Sequence, residues 1–269
     1  MIDAHVHAFP ERMLRAIYAW FDDVGWKIPK PPDAAAILDE VARSGAGRVF
    51  LLIYSHKAGI ARPLNRWLHD LARQDPRVIP VGCVHPDDPD LAEIVAEALD
   101  DFGFAGIKLH CNVGRFLADD PRFDPLYAAV RERGKLAVIH AGTAPLKDEW
   151  VGLRGVKVAL ERFPGLRVQL PHLGMAEWDL ALELVERHQV WLDTSNVLDS
   201  PHVLQGEGGG FLASLAGAAR RFPDRILYGS DFPILEPPLG LAIERIRDLG
   251  LGDELTERLL GANAAALVQ

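Results

Sequence analysis

Short runs rich in β-branched and other apolar residues recur along the chain, each entered from a turn or a charged residue. They are Met1–His7, Arg48–Tyr54, Val78–Val84, Ala105–His110, Leu136–His140, Leu166–Pro171, Val190–Thr194 and Arg225–Gly229. Runs of this length and composition predict eight strands. Most are separated by segments with helical spacing, such as Leu91, Ile94, Val95, Ala98 and Leu99, or Leu182, Val185 and Glu186 ahead of His188. Gly or Pro punctuates the joins, as in Arg162-Phe163-Pro164-Gly165 before the sixth run and Arg221-Phe222-Pro223-Asp224 before the eighth. Strands alternating with helices predict parallel pairing, because a parallel return needs a crossover, and eight such units can close into a (β/α)8 TIM barrel. A chain of 269 residues is close to the usual size of one such barrel, so a single domain over residues 1–269 is expected. The rival is an open doubly wound sheet. No GxGxxG or Walker-type loop follows the first strand, which counts against the nucleotide-binding form of that rival.

Two stretches exceed what a plain barrel needs. Ala8 to Pro32 carries Phe9, Trp20, Phe21 and Trp26, and Asn196 to Gly210 carries His202 and Gly208-Gly209-Gly210. Both follow strand C-terminal ends, where barrel enzymes place their sites, so both are candidates for a lid and specificity wall. The competing reading has the aromatics simply packing over a helix end.

The polar candidates fall at the same ends. His5 and His7 lie on the first strand, Lys108 and His110 on the fourth, His140 on the fifth, His172 after the sixth and Asp231 after the eighth. Alternate strand residues share a face, so His5 and His7 can point into one cavity. Several imidazoles buried without a shared partner would cost desolvation, and a cation removes that cost. Three neutral imidazoles and a carboxylate suit zinc or another divalent first-row ion and leave room for a water of lowered pKa. His5, His7, His140 and Asp231 are therefore the expected ligands, with Asp231 also placed to take a proton from that water. His172 is left as an acid/base or as the group that polarises a substrate carbonyl.

Lys108 has three readings: a carboxylated bridge to a second metal, a partner for a substrate carboxylate, or a structural ion pair. One metal rather than two is expected. His110 is divided between substrate contact and support of its neighbours, and Asn196 between a substrate hydrogen bond and a turn cap. Trp20 and Trp26 are the expected apolar contacts of the substrate.

Composition narrows the partners. Lys and Arg number 29 against 38 Asp and Glu, a net charge of −9 with no basic run, so nucleic acid is not expected. Cys83 and Cys111 are the two cysteines and form no CxxC pair, which predicts neither a disulfide scaffold nor a thiolate zinc site. No stretch reaches the roughly 20 apolar residues of a bilayer span, and the first residues do not look like an export signal. A cytoplasmic protein acting on a small molecule, without membrane contact, is the expectation.

With these residues in view, the chain resembles the amidohydrolase superfamily, most closely its amidohydrolase-related group of metal-dependent hydrolases and decarboxylases. The resemblance runs nearly end to end. It rests on Asp3-Ala4-His5-Val6-His7, Gly106-Ile107-Lys108-Leu109-His110, Val138-Ile139-His140-Ala141-Gly142, Leu170-Pro171-His172-Leu173-Gly174, Tyr228-Gly229-Ser230-Asp231-Phe232-Pro233 and Gly261-Ala262-Asn263-Ala264. It implies metal binding by His5, His7, His140 and Asp231, a catalytic role for His172, a distorted barrel, zinc or manganese, and often a homodimer. The group it resembles includes hydrolases of amides, esters and lactones alongside nonoxidative decarboxylases of aromatic acids. The better-known decarboxylases are generally longer, with added segments around the barrel, so hydrolysis of a small carboxylic compound, lactone, ester or amide is the expectation, with decarboxylation as the alternative.

Overall fold

The computed structural model describes residues 1–142, 148–198, 201–235 and 239–268, with residues 201–209 described by their backbone alone. Its eight strands are β1 (Ile2–Val6), β2 (Arg48–Leu52), β3 (Val78–Cys83), β4 (Gly106–His110), β5 (Leu136–His140), β6 (Arg167–Leu170), β7 (Val190–Asp193) and β8 (Ile226–Leu227). They are hydrogen-bonded in the order β1 through β8. Helical segments fall between successive strands, which is the (β/α)8 topology that the alternation predicts. Each strand lies within its expected run. The last is shortest, because after Leu227 the chain leaves the ladder for the turn that carries Ser230 and Asp231.

Two compact units are formed, one from residues 1–51 with 193–267, the other from residues 52–192. In the first unit, β1 and β2 run parallel with Ile2 opposite Arg48 and Asp3 opposite Val49; an irregularity between Asp3 and Val6 then brings Val6 opposite Leu51. The other edge of β1 takes the end of the chain's last strand. Ala4 N donates to Tyr228 O at 2.8 Å, Asp231 N to His5 O at 2.8 Å and His7 N to Phe232 O at 2.8 Å. All five residues of β1 are buried, as a strand covered on both faces requires.

The stretch after β1 folds as the helix Glu11–Asp23, whose Leu14, Tyr18 and Phe21 recur at helical spacing and are buried. Tyr18 Oη donates to Pro31 O at 3.0 Å and ties the following loop to it. Phe9 is buried, Trp20 is exposed, and Trp26 packs edge-on against Phe21 with centroids 5.4 Å apart. This stretch is thus part core, part surface. The second long stretch runs into the helix Pro201–Arg221, which includes Gly208-Gly209-Gly210; the side chain of His202 lies outside the described residues.

In the second unit, β4 and β5 pair in register from Gly106 opposite Leu136 to His110 opposite His140. That unit buries Phe104, Phe116, Phe123 and Tyr127, with Phe116 and Phe123 meeting edge to face at 4.9 Å and Tyr127 Oη donating to Ala118 O at 2.6 Å. Among the described residues, no helix is long and apolar enough to cross a membrane.

Candidate metal centre

Period-two geometry puts Asp3, His5 and His7 on one side of β1 and its end. The hydrogen bonds from Asp231 N and His7 N fix the turn after β8 against this edge. Asp231 has φ of +67°, a left-handed conformation that Asp tolerates better than most residues. Its carboxylate thereby meets both imidazoles. His5 Nε2 lies 3.1 Å from His7 Nε2 and 3.3 Å from Asp231 Oδ1, and His7 Nε2 lies 3.1 Å from that same oxygen. All three residues are buried.

The triangle fits a metal ion. Bonds of about 2.1 Å from one centre separate neighbouring ligands by roughly 3.0 Å in an octahedron and roughly 3.4 Å in a tetrahedron. The observed edges of 3.1 to 3.3 Å lie within that interval, so the three atoms can form one face of either polyhedron. A divalent cation would also offset the buried carboxylate and take a lone pair from each neutral imidazole.

A ring of polar groups supports these three. His5 Nδ1 lies 3.0 Å from Asp193 Oδ2 and 3.0 Å from Ser195 Oγ. Asp193 Oδ1 accepts from Ser195 N at 3.1 Å and from the Ser195 hydroxyl. Asp3 Oδ1 accepts from His5 N and from Ser230 N, each at 3.0 Å. Burial pushes the Asp3 carboxyl up to about 7, opposed by hydrogen bonds from Ser230 and His5 and assisted by the charge of Asp193. Sequence reasoning gave Asp193, Ser195 and Ser230 no role and treated Asp3 only as part of the opening motif. The signal was an acid at the inner end of an apolar run, Val190-Trp191-Leu192-Asp193, where burial demands donors.

The second unit holds another cluster. His110 and His140 are register partners with rings stacked 4.0 Å apart at 19°, and Tyr54 meets His110 edge-on at 4.7 Å. His172 Nε2 lies 2.9 Å from His140 Nδ1. An unusual backbone begins at His172: residues 172, 173, 174 and 175 have φ of 60°, 53°, 76° and 50°. Such conformations cost about 1–3 kcal/mol for a non-glycine residue and persist only where the surroundings enforce them. Here a Cβ on Gly174 would come within 2.6 Å of Ala181 Cβ, so the turn is packed tightly. Lys108 is buried on β4.

Among the expected site residues, His5, His7 and Asp231 share one ligand triangle, and His140 meets His172 and His110. Asn196, with φ of +51°, donates through Nδ2 to Ile234 O at 3.4 Å.

The chain is similar to known proteins in family and in fold. The family model described as Amidohydrolase matches residues 2–269. No curated protein matches the chain. Among solved structures, a 5-carboxyvanillate decarboxylase from Sphingomonas paucimobilis superposes with a TM-score of 0.74 at 17% identity, covering 100% of this chain and 98% of that one. A 5-carboxyvanillate decarboxylase from Novosphingobium aromaticivorans, complexed with manganese and 4-hydroxy-3-methoxy-5-nitrobenzoic acid, gives 0.71 at 18% identity, with coverages of 99% and 95%. A probable 2-pyrone-4,6-dicarboxylic acid hydrolase from Acinetobacter baumannii with citric acid bound gives 0.70 at 15% identity, with coverages of 99% and 98%. At these identities the likeness establishes the barrel fold alone.

Proposed function

The chain belongs to the amidohydrolase family, and from that premise we propose that it is a metal-dependent hydrolase of a small carboxylic compound, lactone, ester or amide. The observation that carries the proposal is the buried triangle of His5 Nε2, His7 Nε2 and Asp231 Oδ1, with edges of 3.1 to 3.3 Å. These three residues would hold one divalent cation, zinc or manganese, which when bound supplies an acidified water and a Lewis-acid contact for a substrate oxygen.

Asp231 is the proton carrier of the proposal. Water gives one proton to its carboxylate, the hydroxide adds to the electrophilic carbon, and the bond to the leaving group breaks as Asp231 returns that proton to it. Asp193 and Ser195 hold His5 in place during these transfers, and Asp3 holds the backbone of His5 and Ser230.

The sequence pattern adds further parts to the proposal. His140 serves as a fourth ligand and His172 polarises the substrate carbonyl. Lys108, His110, Trp20, Trp26 and Asn196 contact the substrate. The protein works in the cytoplasm, as one domain and as a homodimer.

Two measurements on the purified protein test this. Elemental analysis should find one zinc or manganese per chain. A panel of lactones, esters and amides, run beside a panel of hydroxybenzoates, should show hydrolysis in the first and no carbon dioxide release in the second. Gas release with an inert hydrolysis panel would replace the hydrolase with a decarboxylase. Absence of metal in protein purified without chelators would overturn both readings.

A further inference from the structure

We propose that Asp193 and Ser195 select the tautomer of His5, making Asp193 a positioning residue for the metal centre; the inference rests on reading His5, His7 and Asp231 as that centre. A neutral imidazole can coordinate only through its unprotonated nitrogen, so the placement of one proton decides whether His5 is a ligand.

The partners place that proton. Asp193 is fully buried at the end of β7, and its Oδ1 accepts both the backbone N–H of Ser195, at 3.1 Å, and the Ser195 hydroxyl. With its proton committed to Asp193, the Ser195 oxygen presents only lone pairs to His5 Nδ1, 3.0 Å away. Asp193 Oδ2, at 3.0 Å from the same nitrogen, is likewise an acceptor. Both neighbours of Nδ1 therefore require a donor there. Asp231 Oδ1 is also an acceptor, 3.3 Å from Nε2, but it is a single oxygen shared with His7 and with the cation of the proposed centre, whereas two acceptors lie at 3.0 Å from Nδ1. The proton therefore sits on Nδ1, and the Nε2 lone pair is left beside His7 Nε2 and Asp231 Oδ1. A role limited to bracing the loop after β7 would need only the Ser195 bonds and would leave the His5 contact without purpose.

The substitution Asp193→Asn separates the two roles because of the asymmetry between the carboxylate oxygens. Two donors from Ser195 meet Oδ1, so the amide oxygen takes that position and the amide NH2 turns toward His5 Nδ1. A donor facing Nδ1 drives the ring proton to Nε2, and the ligand lone pair is lost.

The test is nitrogen-15 NMR of chelator-treated protein at pH 8, with the His5 signals identified by their loss in His5→Gln. The wild-type protein is expected to show the Nδ1–H tautomer and Asp193→Asn the Nε2–H tautomer. In chelator competition the variant should bind zinc and manganese about 10- to 100-fold more weakly than wild type, with an unchanged far-UV circular dichroism spectrum. Ser195→Ala leaves the carboxylate facing His5 and should keep the wild-type tautomer. An Nε2–H tautomer in the wild-type protein overturns the proposal even if Asp193→Asn fails to fold. So does a folded Asp193→Asn protein that keeps the Nδ1–H form and wild-type metal affinity. A wild-type protein that takes up no metal sinks the metal-centre reading instead, while the tautomer measurement still decides the role of Asp193.

Discussion

Gly229 lies directly against His5: a Cβ placed on it would come within 2.8 Å of His5 Cβ and 3.4 Å of Asp193 Cγ. The glycine is thus required by close approach. The turn after β8 can reach β1, and deliver Asp231 to the two imidazoles, only because nothing projects from this position.

Gly229→Ala should accordingly push His5 away from Asp193 and spread the ligand triangle. Overpacking of this kind costs about 1–3 kcal/mol, to be read as a lower denaturation midpoint at unchanged slope. Metal affinity should fall in the same variant. A Gly229→Ala protein with wild-type stability and wild-type metal affinity would show that His5 has room to move, contrary to the geometry.

The triangle draws its ligands from the first strand and from the turn after the last, so a bound cation ties β1 to the turn after β8. Removing it with a chelator should abolish turnover and lower the melting temperature, and zinc or manganese should restore both. With free metal at about 100 times its dissociation constant, linkage predicts a stabilisation of about 2.7 kcal/mol. A melting temperature indifferent to chelator and metal would argue that these residues hold no ion.

Asp231→Asn keeps the size of the side chain and leaves the hydrogen bond from Asp231 N to His5 O in place, so the fold should survive. The amide cannot carry the proton and is a poorer ligand. Turnover of whichever substrate the panel identifies should drop at least about 100-fold, with reduced metal content and an unchanged circular dichroism spectrum. Full activity would remove Asp231 from the chemistry.

How much of this could be read from the chain depends on the range over which each feature is encoded. The strands and the shared face of His5 and His7 are local, written in a period of two, and all eight strands lie inside their expected runs. Asp231 was legible because it follows a strand in a fold whose sites gather at such ends. Asp193 was not, because its meaning lies in a partner 188 positions away, and no spacing rule links them. The same holds for Gly229, whose constraint is set by a side chain on β1. The left-handed run beginning at His172 carries no composition signal either, since three of its four residues are not glycine. The aromatic stretch after β1 mixed two roles, with Phe9 and Phe21 buried and Trp20 exposed, because a single amphipathic helix presents both faces.

The two cysteines supply a pH test that is independent of the metal. Both are buried in the second unit. Burial pushes the Cys111 thiol from 9.0 up to about 12, with the charge of Lys108 opposing, and pushes Cys83 higher still. In the unfolded chain both thiols ionise near the ordinary value. A group whose folded pKa is raised contributes stability that is complete below the unfolded pKa and is lost as pH rises toward the folded one. From about pH 9 upward the unfolded state therefore gains thiolate that the folded state does not, and each thiol should steepen the loss of stability by up to about 1.4 kcal/mol per pH unit. Denaturation midpoints at pH 8, 9 and 10 would measure this, and Cys111→Ala should remove about half of the cysteine-dependent slope. An aromatic disulfide reagent at pH 8 should find neither thiol in the native protein and both in guanidinium. Rapid labelling of the native protein would show that the interior around Cys83 and Cys111 admits reagent, and the predicted alkaline slope would then vanish with it.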